Sequence, residues 1–202
     1  MKCFNCPLVL IDCYDSGTNF HSGINIDDGE AGYFATKQLL SMGHRNIALA
    51  TENYSADGPI QRRYLGYLKA MNEYQIKNVD DLVFYDNLTF NGGYCIGNKL
   101  LERNEISAVF CCADIVAFGI MKAYKEAGKK LPQDLSIIWF DDIGSCQFSD
   151  PRLTSIKQPI FEKGVLSIRK LNELIVNPRT QITKTVLPVT LVKHESAIPL
   201  RK

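Results

Sequence analysis

The sequence predicts an α/β protein with parallel sheets flanked by helices. Three observations lead there. Short β-rich apolar runs alternate with amphipathic stretches of ten or more residues, turn signals fall between them, and no segment repeats or drops to low complexity. Strands separated by helices of that length read as βαβ units, whose long crossovers join parallel strands.

The elements follow in order. Leu8-Val9-Leu10-Ile11, after Pro7, is a buried strand. Residues 28–42 form a helix, with Ala31, Phe34, Ala35, Gln38 and Leu39 at helical spacing and Gly43 ending it. Residues 47–50 form the next strand, and 60–74 a helix with Leu65, Leu68 and Met71 on one side. Strands at 82–85, 108–111 and 135–140 alternate with helices at 93–103 and 114–127, the last stopped by Gly128. A short strand at 154–157 precedes Pro159, and a helix over 161–176 ends at Asn177-Pro178. Residues 186–192 read as one closing strand, which Pro188 assigns to a sheet edge. Right-handed crossovers gather the strand-to-helix loops (12–27, 51–59, 86–92, 112–114 and 141–149) on the edge where such folds bind ligands.

Composition narrows the function. Among 202 residues, 23 Lys and Arg balance 22 Asp and Glu for a net charge of +1. With no basic excess or stripe, this stretch alone is not expected to grip duplex DNA. There is no long apolar run for a membrane span, and Asn5, Pro7 and Asp12 interrupt any signal-peptide layout, so the expected location is the cytoplasm. Cys3 and Cys6 form a C-x-x-C without a second ligand pair or a following helix, and read as part of a strand-leading segment. No metal or cofactor is expected.

The loops hold the candidate chemistry. Phosphate-binding glycine loops, H-E-x-x-H and G-x-S-x-G are all absent. His44, just after a helix end, reads as a cap for the last carbonyls. Asp141-Asp142 follow an apolar strand and fit a ligand contact, a helix cap or a Mg²⁺ site. Arg62-Arg63 lie near a helix start, where the dipole disfavours cations, so a carboxylate or polar ligand is expected opposite them, unless they are simply solvated. Leu88 and Phe90 are large apolar residues in a polar loop, suited to stacking on a ligand ring or to a satellite core contact.

Longer motifs run through the same loops. Asp27-Asp28, Ala35, Leu39 and Gly43-His44-Arg45-Asn46-Ile47-Ala48 follow D-N…A…L…G-H-R-x-I-A; Arg63 to Tyr67 follow R-x-x-G-[YFW]; the run from Ala108 to Gly119 follows A-[IV]-F-x-x-N-D-x-x-A-x-G. The runs from Pro132 to Asp142, from Pro151 to Pro159 and from Leu187 to Ser196 follow P-x-D-[LV]-S-[VI]-x-[GS]-[FY]-D-[DN], P-x-L-T-[TS]-[IV]-x-Q-P and L-P-x-x-L-V-x-R-x-S. In this order, over nearly the whole chain, they resemble the effector-sensing half of LacI/GalR-type transcription regulators.

The resemblance implies a two-lobed fold like that of periplasmic sugar-binding proteins, with the effector between the lobes and three crossovers joining them. It assigns residues 1–45 to a first, incomplete lobe, 46–159 to the second, 160–188 to the first again and 189–202 to the second. It also implies that the helix-turn-helix head and the opening strands of the first lobe are missing, and that the first sheet exposes apolar edges. Operator DNA would then be bound only through that head. The implied effector is a sugar or related small metabolite. In the cleft the resemblance places Arg63 as donor, Asp141 as acceptor, Asp57, Leu88 with Phe90 as its substitute, and Ala113-Asp114 at the N-D step of the motif. Ala117, Phe118 and Met121 fall on a helix implied at a homodimer interface, with a core role for Phe118 the alternative. Ala113 departs from the usual Asn, Trp139 from a Gly and His194 from an Arg, which bears on the effector more than on the fold. The rival readings are a transport sugar-binding protein and a Mg²⁺-dependent phosphoryl-transfer enzyme using Asp141 and Asp142.

Overall fold

A computed structural model describes residues 6–14, 20–53, 58–141, 144 and 148–200. Two sheets organise them. The smaller has three parallel strands in the order β1 (Val9–Ile11), β2 (Ser22–Ile26) and β8 (Lys184–Leu187). The larger has six, ordered β4 (Val83–Tyr85), β3 (Ile47–Thr51), β5 (Ala108–Cys111), β6 (Ser136–Asp141), β7 (Thr154–Lys157) and β9 (Thr190–Val192). All pairings there are parallel except β7 with β9.

Five α-helices and a short 3₁₀ helix (Val79–Leu82) complete the described fold: α1 (Asp28–Ser41), α2 (Pro59–Glu73), α3 (Phe90–Leu101), α4 (Asp114–Glu126) and α5 (Ile160–Val176). The connection β3–α2–β4 runs one way along the large sheet, while β4–α3–β5 and β5–α4–β6 run the other. Right-handed crossovers therefore put α2 on one face and α3 and α4 on the opposite face. The strands between are buried from both sides: every residue of β3 and β5 is buried, as are Ile137, Ile138, Trp139 and Phe140 of β6.

Helix pairs pack backbone to backbone. A Cβ on Gly66 would lie 2.0 Å from Gly29 O, and one on Gly32 2.2 Å from Arg63 O, so α1 and α2 touch where only glycine fits. Across the sheet α3 and α4 repeat the device, with Gly93 against Val116 O and Gly119 against Phe90 O. The inner face of α2 is Gly66, Tyr67, Ala70 and Met71; Leu65, expected inward, is exposed.

Three expectations are corrected. Helix α1 packs on α2 and the six-stranded sheet, so the chain leaves the small sheet after β2 and not at Arg45. Strand β2 lies inside what the sequence suggested was a single loop; its Ser-Gly-Ile-Asn-Ile run carries only two apolar side chains, yet all five residues are buried. The closing segment is two strands, not one: Pro188 carries no amide hydrogen, and the chain passes there from β8 in the small sheet to β9 in the large one.

Helix α5 lies against β1 and β2 and buries Lys163 and Ser167, while Phe161, Ile168 and Ile175 face outward. The C-terminal segment straps the large sheet: Ser196 Oγ donates to Ile137 O at 2.7 Å, and Leu200 N donates to Met42 O at 2.9 Å.

Candidate functional site

Strands β3 and β5 are neighbours whose onward connections leave in opposite directions, so their C-terminal ends open a crevice at the switch point of the large sheet. Arg63 reaches this crevice from the second turn of α2. Its Nε donates to Asp28 Oδ1 at 2.8 Å, and its Nη1 donates to Cys112 O, just past β5, at 2.7 Å. Its guanidinium carbon lies 3.4 Å from the centroid of the Phe140 ring. Asp28 is 1% exposed and sits in the first turn of α1, where the helix dipole favours a carboxylate. Asp27 holds that turn by accepting from Glu30 N at 2.9 Å.

Tyr14, on the connection after β1, donates its hydroxyl to Asp28 Oδ2 at 2.6 Å, and Arg62 lies over its ring at 3.7 Å. Burial, then the bond to this carboxylate, pushes the Tyr14 phenol above its ordinary range. Burial also pushes the Cys112 thiol up to about 11, with the Arg63 charge pulling the other way.

Asp141 follows Phe140 at the end of β6, with φ at 104°. Its Oδ1 accepts from Gln158 Nε2, and Gln158 Oε1 accepts from Lys163 Nζ. Lys163 also pairs with Asp12 at the end of β1. Ala113 occupies the N-cap position of α4, where it supplies no side-chain cap, and Asp114 is buried in the first turn.

The fold thus gathers Arg63, Ala113, Asp114 and Asp141 at one sheet edge. Arg63 is held by the protein itself on two nitrogens, so its expected role as an open fork for ligand is corrected to a clamped group. Leu88 packs against the core, whereas Phe90 begins α3 with its side chain partly exposed. Asp57 and Asp142 lie outside the described residues. Of the three expected interface residues, Ala117 is fully buried and cannot meet a partner; Phe118 and Met121 are half-buried, Phe118 edge-on to Trp139 with ring centroids 5.1 Å apart. His44 does not cap α1: its Nδ1 meets Ser107 Oγ at 2.8 Å and its Nε2 meets Ile198 O at 2.9 Å.

Comparison with known proteins identifies the architecture. Residues 36–197 match the family described as periplasmic binding protein-like domain. A LacI family transcriptional regulator from Enterococcus faecium, solved with bound ribose, superposes with a TM-score of 0.89 at 34% identity, covering 96% of this chain and 72% of that one. The chain belongs to the LacI family. Its relatives include the ribose operon repressor of Haemophilus influenzae, 34% identical over 196 residues (96% of this chain, 58% of the repressor). The transcriptional repressor PurR of Glaesserella parasuis is 35% identical over 190 residues, 93% of this chain and 55% of its own. This LacI family chain therefore spans little more than half the length of these relatives. No described helix is long and apolar enough to cross a membrane.

Sequence reasoning missed Asp28, Tyr14, Phe140, Gln158 and Lys163 as parts of the site. Asp28 and Gln158 stood inside quoted motifs and carried a signal; Lys163 carried none.

Proposed function

We propose that this chain is the effector-sensing part of a DNA-binding transcription regulator, with a pentose of the ribose type as effector. The observation that carries the reading is the clamped Arg63 at the β3–β5 switch point, with Asp141 at the neighbouring strand end, in a chain similar to a regulator solved with ribose. Asp141 accepts from sugar hydroxyls, the remaining nitrogen of Arg63 donates to a ring or hydroxyl oxygen, and Phe90 supplies an apolar face. Ala113, which lacks the amide common in the family, narrows the polar contacts at α4 and so bears on which sugar fits.

The small sheet with α5 and the large sheet with α1 to α4 act as two lobes that close on the effector by a hinge motion. The protein works by binding and shape change, not catalysis, and does so in the cytoplasm. It pairs as a homodimer through Phe118 and Met121, which line an open groove of about 540 Å³ beside the exposed Phe148. Operator DNA is read by a part outside these 202 residues. The relatives are transcription regulators, which favours this reading over a transport sugar-binding protein.

Titration calorimetry with D-ribose tests the proposal. A hydrogen bond to a charged acceptor contributes about 1.5–3 kcal/mol, so Asp141→Asn should weaken binding by roughly ten- to a hundredfold. No binding of D-ribose or other pentoses would remove the sugar class, and unchanged affinity in Asp141→Asn would move the site elsewhere.

A further inference from the structure

Lys163 is a buried charge in an unexpected place. Helix α5 turns apolar side chains to the outside and buries this lysine, with its side chain 4% exposed. A buried ammonium needs acceptors, and among the described residues this one has two: Asp12 Oδ1 at 2.5 Å and Gln158 Oε1. Gln158 passes the interaction on through its Nε2 to Asp141. Four polar side chains thus form one chain across the molecule. Asp12 directly follows β1 of the small sheet, Asp141 ends β6 in the large sheet, and Gln158 lies on the connection from β7 to α5.

The chemistry of the groups fixes the direction of this chain. Lysine has only donors, so Gln158 must turn its carbonyl toward it, and its NH₂ then points at Asp141. Without the ammonium, the Gln158 amide has no reason to keep that face. Flipped, it would set a carbonyl oxygen against the Asp141 carboxylate, and the two would repel.

We propose that Lys163 is a positioning residue for the effector site: by orienting the Gln158 amide, it holds Asp141 as an ordered acceptor and ties that acceptor to the opposite sheet. The effect on affinity rests on the reading of Asp141 as the effector's acceptor; the effect on Gln158 does not. The site is thereby set to take ligands that donate hydrogen bonds at this point, as sugar hydroxyls do.

The test has two readouts on the 202-residue chain. The first is the side-chain amide resonance of Gln158 by NMR, assigned by its loss in Gln158→Leu, and it needs no ligand. Lys163→Met should shift this resonance, while Lys163→Gln, which keeps a donor, should hold it near its original position. The second is D-ribose affinity in a double-mutant cycle. Lys163→Met should weaken binding about tenfold in the native background and less than twofold on Gln158→Leu, because the lysine acts only through that amide. A Gln158 resonance unmoved by Lys163→Met in a folded protein overturns the proposal, as do losses of affinity that simply multiply. If Lys163→Met does not fold, Lys163→Leu combined with Asp12→Leu removes both members of the ion pair and strands no charge; it must shift the same resonance, and an unmoved signal overturns the proposal there too. If the native chain does not bind ribose, the effector reading fails alone and the resonance still decides the role of Lys163.

Discussion

Arg63 lies over the Phe140 ring, with the guanidinium carbon 3.4 Å from the ring centroid. This contact joins α2 to β6, and Asp141 is the next residue along that strand. A guanidinium tolerates such a site because it is planar and weakly hydrated, so it can stack on an aromatic face while its edge meets Asp28 and the Cys112 carbonyl. An ammonium could not satisfy all three. The same residue serves the fold and the proposed site, so its effect on stability separates from any effect on binding only when its partners are changed independently.

The Asp28–Arg63 pair should therefore behave as a buried ion pair. Asp28→Ala is expected to destabilise the protein by about 3–5 kcal/mol, because it strands the Arg63 charge, whereas Asp28→Leu combined with Arg63→Met should recover much of the loss. Urea unfolding followed by the fluorescence of Trp139, the single tryptophan, measures both. A cost below about 1 kcal/mol for Asp28→Ala would mean that solvent already satisfies the arginine.

The helix pairs give a second expectation. Gly66→Ala places a methyl group 2.0 Å from Gly29 O, and that backbone cannot move without pulling Asp28 off Arg63. Overpacking of this kind costs about 1–3 kcal/mol or more. Gly128→Ala is the contrast, since a Cβ there meets no neighbour and only the φ of 71° opposes it, a cost of about 1 kcal/mol. Thermal unfolding of both variants checks the order; equal losses would show that α1 and α2 can separate freely.

Much of this was legible in the sequence, for reasons that also explain the failures. The βαβ alternation survives in local periodicity, so the helices and the large-sheet strands emerge within a few residues of their observed bounds. Strand β2 does not, because Ser22, Gly23 and Asn25 give it no apolar run; it is a strand only because β1 and β8 pair with it on both sides. Arg63 and Asp141 were visible as charges at strand-to-helix loops. The pairing of Arg63 with Asp28 was not, since 35 positions separate them, nor was that of Lys163 with Asp12 over a separation of 151. Side-chain pairing across that distance is set by the topology, which spacing does not encode. The placement of α1 failed for the same reason: its apolar face is compatible with either sheet.

The groove beside α4 is the interface on which the proposed homodimer rests. Phe118 rests edge-on against Trp139, while the neighbouring Phe148 is 90% exposed. Phe118→Glu should convert a dimer to a monomer in sedimentation or light scattering and should cost some stability as well, because the ring also packs on the core. Phe148→Ser separates the two effects: it removes exposed apolar surface without touching the core, so it should weaken association and leave the unfolding midpoint unchanged. A native chain that is monomeric at high concentration, or a dimer indifferent to both changes, would remove this face as the interface.

His44 sets a pH dependence whose sign follows from its contacts. The neutral ring with hydrogen on Nε2 donates to Ile198 O and accepts from the Ser107 hydroxyl at Nδ1, so both ring nitrogens are satisfied without a charge. Burial lowers its pKa from the ordinary 6.5. The folded state thus resists a proton that the unfolded chain accepts, and stability is fully present above about pH 6.5 and declines as the pH falls below it, levelling off once the folded imidazole also titrates. Because the C-terminal strap is held through Ile198, its amides should lose hydrogen-exchange protection over the same interval. His44→Asn keeps a polar side chain but does not titrate, so the difference in stability between native and variant proteins should shrink from pH 7.5 to pH 5.5. Urea midpoints at several pH values give that difference directly. A difference that stays constant with pH would mean that His44 takes up its proton as readily in the fold as outside it, and that the strap opens to let it do so.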